Sequence, residues 1–282
     1  MREKKSAGMP RAVSKPKITI ITVSYNAEAF IEQTIRSVAA QTYPNIEYIV
    51  IDGASTDGTL DVIKKHEDQI TKWISEPDRG IADAMNKGWK MASGDFVLFI
   101  HADDYLIDDS IIESAVQHIL GEYDIYAFGI YFSWRWRGGR RQRKQPRGFT
   151  WLMNLKYGVC HQGAFCRREL FEEIGQFDTN FKIAMDYDFF MRAYRRDKSL
   201  KVIDMPLAVM RDTGISWRTD WPSRRESLLE VRSVHYKSCN GLLMRVVYFL
   251  FWQAYFPYWR LRTVAITLKM RLTRSTLQQS VR

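Results

Sequence analysis

The sequence predicts an α/β fold, a mixed and mostly parallel sheet sandwiched by helices, followed by an amphipathic helical tail. Three observations carry that expectation. Short apolar runs without helical spacing recur, the clearest being F-V-L-F-I at 96–100, and such runs read as buried strands of a parallel sheet. They alternate with segments whose apolar residues have helical spacing, the βαβ order whose crossover helices cover both faces of a sheet. The runs end in polar or acidic turns, as strands do in open α/β sheets that hold ligands at their C-terminal edge.

Residues 1–16 form a loose basic arm. K-I-T-I-I-T-V at 17–23 is the first strand and ends in S-Y-N, where Ser24 or Asn26 is placed to cap a helix striped by Phe30, Ile31, Ile35 and Val38. Pro44 and Asn45 break that pattern. I-E-Y-I-V-I at 46–51 is the second strand, and D-G-A-S-T-D-G-T leads from it to a helix carrying Leu60, Val62 and Ile63. Trp73 and Ile74 make a short strand before S-E-P-D-R-G. Residues 81–92 form a helix with Ile81, Ala84, Met85, Gly88 and Trp89 inward, and Gly94 opens F-V-L-F-I-H-A-D-D-Y-L at 96–106. Parallel strands would gather Tyr25, Asn26, Asp52, Asp103 and Asp104 at one edge. Adjacent carboxylates repel each other unless water, donors or a cation offset the charge. Asp103 and Asp104 therefore suit either a divalent metal carrying a phosphate or a solvated turn.

A helix is expected over 107–120 and a strand over 124–132. S-W-R-W-R-G-G-R-R-Q-R-K-Q-P-R follows, with seven Lys/Arg between Arg135 and Arg147 and no acid. This stretch reads as a solvated basic hairpin or as a contact for an anionic acceptor, with Trp134 and Trp136 at a membrane interface. His161 and Gln162 in G-V-C-H-Q-G-A-F-C-R-R either touch a sugar or form a buried hydrogen-bonded pair. Phe189, Phe190 and Ala193 have inward helical spacing, which places Asp186 near a helix N-terminus. A late strand covers 201–205, before R-D-T-G-I-S-W. Residues 246–259 carry no charge and five Tyr/Trp residues, but are too few to span a bilayer, which takes about 20 apolar residues.

Charge is unevenly placed along the 282 residues. Residues 1–17 carry six Lys/Arg against one acid, residues 231–282 carry nine Lys/Arg and no acid, and the body between them has a net charge of −4. The body is thus no basic nucleic-acid surface, and the basic ends suit anionic phosphates. The acid-free tail is expected to lie on an anionic leaflet, the alternatives being a helix packed on the body or on a second copy, which leaves the oligomeric state open. Cys160, Cys166 and Cys239 are an odd set without C-x-x-C spacing, which indicates neither a disulfide framework nor a zinc site and fits a reducing compartment. No apolar signal core precedes Lys17. The expected location is cytoplasmic and peripheral, on the inner face of the cell membrane. The expected organisation is an arm at 1–16, a catalytic domain at 17–230 with halves at 17–106 and 107–230, and a tail at 231–282.

The spacing of S-Y-N, D-G-A-S-T-D-G-T, S-E-P-D-R-G-I-A-D-A-M-N-K-G, S-G-D-F and A-D-D-Y resembles the nucleotide-sugar half of the family-two inverting glycosyltransferases of GT-A fold. The similarity runs almost without a gap over 17–106 and resumes at Gly158; within the family it leans to bacterial exopolysaccharide, colanic-acid and O-antigen types. The resemblance implies a UDP- or GDP-sugar donor, a lipid-linked saccharide acceptor and Mn²⁺ or Mg²⁺. It implies Tyr25 packed near the nucleobase, Asp52 accepting a hydrogen bond from it, and Arg79 over the base or near the phosphates. Where the family has D-x-D this chain has H-A-D-D. By position, Asp103 faces the ribose or the metal, Asp104 ligates the metal, and His101 is either a ligand or a strand-end histidine bonded to backbone. Asp186 stands where the family's E-D motif places the general base, with Met185 in place of Glu. Gly214 and Ser216 match, and Thr213 does not, a G-G-x-S-like loop that the resemblance implies closes over the diphosphate. Two other classes remain: a nucleotidyltransferase, for which S-Y-N-A-E lacks the Gly-rich loop and lysine, and a degenerate transferase serving as a membrane-bound binding module.

Overall fold

The computed structural model describes residues 15–134, 139–214 and 220–279, with side chains up to residue 266. Expectations for the N-terminal arm, Trp136, Ser216 and the basic side chains beyond 266 lie outside the described residues. Two compact units divide between Thr213 and Gly214.

The first unit is built on one nine-stranded sheet. Its parallel half joins β1 (Ile18–Ser24), β2 (Ile46–Asp52), β3 (Lys72–Ser75) and β4 (Phe96–Phe99) in the order β3-β2-β1-β4. The crossovers are α1 (Glu28–Ala39), α2 (Thr59–Lys65) and α3 (Ile81–Met91). Strand alternation sends Ile18, Ile20, Tyr48, Val50, Phe96 and Leu98 to one face, where Ile31, Ile35 and Val38 of α1 and Ile63 of α2 join them in one core cluster. On the other face α3 lies so close that a Cβ on Gly88 would stand 2.5 Å from Cγ2 of Ile21. All four parallel strands therefore point their C-terminal ends one way.

Beyond β4 come β5 (Tyr105–Leu106), α4 (Ile111–Val116), β6 (Ile125–Trp134), β7 (Arg140–Lys144), β8 (Ala164–Arg167), α5 (Leu170–Ile174), α6 (Met185–Arg195) and β9 (Leu200–Arg211). β8 inserts antiparallel between β4 and β6, while β9 runs parallel to β6 and antiparallel to β5. Phe171 of α5 and Phe189 of α6 stack at 4.5 Å beneath the sheet and reach Phe99 of β4 through Phe171.

Three expectations change. The helix expected over 107–120 is confined to Ile111–Val116, because β5 pairs with β9 and Asp109 is taken up in a turn that accepts from Thr42 N at 2.8 Å. The strand expected over 201–205 runs on to Arg211: it passes Pro206 through a register shift opposite Phe128, Gly129 and Ile130, the kind of irregularity that admits proline in a sheet. Neither Ser24 nor Asn26 caps α1; the second loop does so, with Thr59 Oγ1 accepting from Ala27 N at 2.8 Å and Asp57 accepting from Glu28 N at 3.2 Å.

The second unit pairs α7 (Trp221–Lys237) with α8 (Leu242–Gln279). Asp220 caps α7 by accepting from Ser223 N at 2.9 Å, and Pro222 stands in its first turn. His235 stacks on Tyr248 at 4.7 Å and accepts from Trp252 Nε1 at 3.1 Å. Arg224 and Arg262 both lie over the Trp259 ring. The boundary expected after residue 230 falls inside α7. Leu242, Leu243, Val246, Phe249, Leu250, Leu261 and Val264 are exposed along α8. Among the described residues no helix is long and apolar enough to cross a membrane.

Candidate active site

The candidate site lies at the C-terminal edge of the parallel strands. β1 and β2 end side by side, Ser24 opposite Asp52, and their loops lock together: Asn26 N donates to Ser55 Oγ at 2.8 Å, and Asn26 Oδ1 accepts from Thr56 N at 2.9 Å. Asn26 and Ala54 adopt left-handed backbone there, at φ 49° and 60°, a conformation that L-residues hold only where the surroundings impose it. Tyr25 is left exposed on the rim. Arg79 is also exposed and pairs with Asp83 at 3.3 Å.

Asp52 is placed differently from the expectation for it. It is fully buried and accepts four hydrogen bonds, from Ser24 Oγ, Ser55 Oγ, Ser55 N and Ser75 Oγ. A carboxylate offers about four lone-pair positions, so all are used within the protein. Asp52 braces the ends of β1, β2 and β3.

The H-A-D-D segment continues β4 alongside β1, with Ile100 N on Ile21 O and Ala102 N on Val23 O, and turns back as Asp104 N donates to His101 O. The two aspartates then diverge. Asp104 is buried; Gln162 Nε2 donates to one of its oxygens at 2.9 Å and Arg211 N to the other at 3.2 Å. Burial, and then the charge of Asp103, push its carboxyl well above the usual range. Asp103 is only partly buried, and among the described residues Thr213 alone donates to its carboxylate, at 2.5 Å. Asp103 is thus the more exposed of the two carboxylates, whereas each oxygen of Asp104, named from the sequence as a direct ligand, accepts one hydrogen bond from within the protein. Among the described residues no group of three or more His, Cys, Asp or Glu could hold a metal by itself. One hard carboxylate oxygen nonetheless fits a Mg²⁺ or Mn²⁺ that takes its other ligands from phosphates and water.

His101 Nε2 is buried without a partner among the described residues, and its ring lies against His161 with centroids 4.4 Å apart. Burial, and then His161, hold its pKa well below the ordinary imidazole value, so it is neutral. The geometry packs its ring against His161 beneath the acidic loop.

Asp186 sits in the first turn of α6. His161 Nδ1 lies 2.9 Å from its Oδ2, the Tyr157 hydroxyl donates to the same oxygen, and Tyr187 N donates to Oδ1 at 2.7 Å. The carboxylate only accepts, so Nδ1 of His161 carries the hydrogen. Burial, then the Asp186 charge, raise the Tyr157 phenol well above its usual pKa and keep it a donor. Asp188, two residues on, is buried against Arg192 at 2.8 Å and belongs to the fold.

Arg211, Gln162 and Tyr157 carry structure at this site that the sequence did not reveal. Arg211 donates through its guanidinium to Asp103 O and Gln33 Oε1 and lies over the Tyr105 ring at 4.6 Å. The signal available was faint: a lone arginine after the apolar run L-A-V-M at 207–210, and an H-Q dipeptide read either as a sugar contact or as a mutual pair. His161 and Gln162 do not pair with each other; they serve different carboxylates. Trp134 ends β6 half-buried with its ring 6.1 Å from Phe132.

Comparison with known proteins agrees with this geometry. The family model "Glycosyl transferase family 2" matches residues 19–201. An uncharacterized glycosyltransferase of Mycobacterium tuberculosis is 36% identical over 185 residues, covering 64% of this chain and 70% of the relative. A teichuronic acid biosynthesis glycosyltransferase of Bacillus subtilis, itself named as putative, is 41% identical over 120 residues, 42% of this chain and 47% of its own. Two solved structures share the fold. S. aureus TarS matches with a TM-score of 0.58 at 23% identity over 69% of this chain, which spans only 36% of the TarS chain. A mannosyltransferase from Pyrobaculum calidifontis, in complex with GDP-Man and Mn²⁺, matches with a TM-score of 0.63 at 20% identity over 99% of this chain and 83% of that one.

Proposed function

Because the chain belongs to glycosyl transferase family 2, we propose that it moves a sugar from a UDP- or GDP-sugar to a lipid-linked saccharide acceptor, with inversion at the anomeric carbon, in surface polysaccharide biosynthesis. The observation that carries this reading is the convergence of the acidic loop after β4 and the Asp186 carboxylate on one short turn, through Gln162 and His161. Inverting transfer needs those two elements together: a place for the donor's diphosphate and a base for the acceptor hydroxyl.

In this mechanism the nucleoside lies along the rim formed by β1, β2 and β3, with Tyr25 against the base, Arg79 near the base or phosphates, and Asp52 holding the loops on which they stand. Asp103 would hold a Mn²⁺ or Mg²⁺ together with the donor phosphates, and such a cation, when bound, offsets charge gathering on the departing diphosphate. The acceptor oxygen attacks C1 from the face opposite the diphosphate. Its proton passes to Asp186, where Tyr187 N takes up only part of Oδ1. The bond from C1 to the diphosphate oxygen breaks, and the nucleoside diphosphate leaves with the electron pair. No covalent enzyme intermediate is needed.

The tail of this enzyme rests on an anionic membrane surface at the inner face of the cell membrane, where a lipid-linked acceptor is found. What supports this is the exposed apolar row on α8 in a stretch with nine Lys/Arg and no acid. The test is a screen of UDP- and GDP-sugars by melting temperature and by nucleotide release, each with and without Mn²⁺. One donor should raise the melting temperature and release its nucleotide in a cation-dependent way. No rise and no release with any donor would reject the transferase reading in favour of a membrane-bound binding module.

A further inference from the structure

We infer that the turn His161–Gly163 is a positioning element that holds the general base and the acidic loop in one register, His161 acting on Asp186 and Gln162 on Asp104. The inference rests on the transferase reading above and adds residues to it. Its basis is that neighbours in sequence have separate duties in space. Gln162 Nε2 donates to Asp104 Oδ2 at 2.9 Å, reaching back 58 residues, and His161 Nδ1 donates to Asp186 Oδ2 at 2.9 Å, reaching forward 25.

The turn has little room to move. Gly163 N closes it on Cys160 O at 3.1 Å. A Cβ on Gly163 would lie 2.4 Å from the carbonyl oxygen of Phe128, so the turn rests directly on the backbone of β6. It also leads straight into β8, which is paired on one side with β4 and on the other with β6. Because β8 runs antiparallel to β4, its start lies beside the end of β4, where the acidic loop begins. The sheet thus fixes the turn, and the turn fixes two carboxylates.

Each contact leaves a definite atom for chemistry. On Asp186, Tyr157 and His161 occupy both lone pairs of Oδ2, so Oδ1 is the oxygen with capacity for the acceptor's proton. Met185, which replaces a polar residue of the family motif, has no group with which to orient that carboxylate. On the acidic loop, Gln162 and Arg211 N hold Asp104 from opposite sides, leaving the adjacent Asp103 less buried. Reactions of this type lose about 10²-fold when a reacting group is misplaced by about 1 Å, so a rigid link between leaving-group and base sides has a direct kinetic consequence.

The test uses the full chain and three variants, with melting temperature and circular dichroism recorded for each. His161→Leu removes the donor to Asp186, and His161→Asn restores an amide N–H near the position of Nδ1. Gln162→Leu removes the donor to Asp104. Two quantities are read: kcat for nucleotide release from the donor identified in the screen, and affinity for Mn²⁺ with UDP or GDP by calorimetry. The expected result for His161→Leu is a kcat lower by about 10- to 100-fold, with nucleotide affinity within twofold of wild type and turnover largely recovered in His161→Asn. Gln162→Leu should weaken Mn²⁺-nucleotide binding about tenfold. A kcat for His161→Leu within twofold of wild type would overturn the inference, as would no recovery in His161→Asn or equal loss of both quantities in both variants. Wild-type turnover with those outcomes removes this inference alone, whereas a wild type that neither binds nor turns over any donor removes the transferase reading as well.

Discussion

Asp186→Asn offers the sharpest separation of chemistry from folding. The carboxylate takes three hydrogen bonds: the Tyr157 hydroxyl and His161 Nδ1 on Oδ2, and Tyr187 N on Oδ1. An asparagine with its oxygen in place of Oδ2 keeps the first two and sets its NH₂ against Tyr187 N, losing one bond. That costs about 1–2 kcal/mol of stability. Asp186→Ala would instead strand three donors in a largely buried place, so alanine confounds stability with catalysis. The catalytic loss is of a different size. Removing a general base costs about 10²- to 10⁴-fold in rate, or about 2.7–5.4 kcal/mol of barrier. The residues proposed to face the donor stand on other elements, the loops after β1 to β4, so donor KM and the melting-temperature rise with nucleotide and Mn²⁺ should stay near wild type. Nucleotide release is the assay, read at saturating donor beside the unfolding midpoint. A kcat within about threefold of wild type would show that Asp186 is not the base, and a loss of donor binding equal to the loss of kcat would show that it acts on structure.

Asp103→Ala should abolish the cation-dependent part of nucleotide binding with stability within about 1 kcal/mol of wild type, whereas Asp104→Ala should unfold more easily by about 1–3 kcal/mol, because Gln162 Nε2 and Arg211 N lose a buried acceptor; equal unfolding midpoints for the two variants would refute the division of roles. Glu47 predicts an acid limb. It is 2% exposed and accepts from Ser93, Thr19 and Lys72; burial acts to raise its pKa, but those bonds prevail and lower it from 4.5 to about 2. A lowered folded pKa contributes stability above about pH 4.5 that is lost as pH falls toward 2, up to about 3 kcal/mol. Glu47→Gln should flatten urea-unfolding stability over that window, and parallel pH curves for the two proteins would disprove the assignment. On α8, Leu250→Glu should cut co-flotation with vesicles containing anionic lipid about tenfold, and wild-type binding should weaken with salt; equal binding to neutral and anionic vesicles would count against a basic tail surface.

Much of the fold was legible because it is written in local patterns. The β-branched runs and stripes of helical spacing gave β1 to β4, α1 and α3 in order, and strand direction then brought Tyr25, Asp52 and the Asp103–Asp104 pair to one edge. What was not legible depended on partners far along the chain. Asp57 caps a helix whose first residue lies 29 positions earlier, so inspection of the residues before Glu28 pointed to Ser24 and Asn26 instead. Asp52 looked available for a ligand because nothing local announced that Ser24 and Ser75 would close on it from neighbouring strands. The late strand is expected only as far as Met205, whereas it passes Pro206 through a register shift that is made by β6.

The same reasoning explains how Asp103 and Asp104, identical in type and adjacent in sequence, come to differ in role. Repulsion alone would leave them interchangeable. The asymmetry comes from β9 and from the turn before β8: Arg211 N and Gln162 reach only Asp104, and Thr213 reaches only Asp103. Burial then disfavours charge on Asp104 and raises its pKa. A loop with two equivalent acids would offer a cation two competing positions. In the proposed mechanism a loop with one acid held by neutral donors would offer one, and that selection would rest on Gln162, whose neighbour in the chain holds the proposed base.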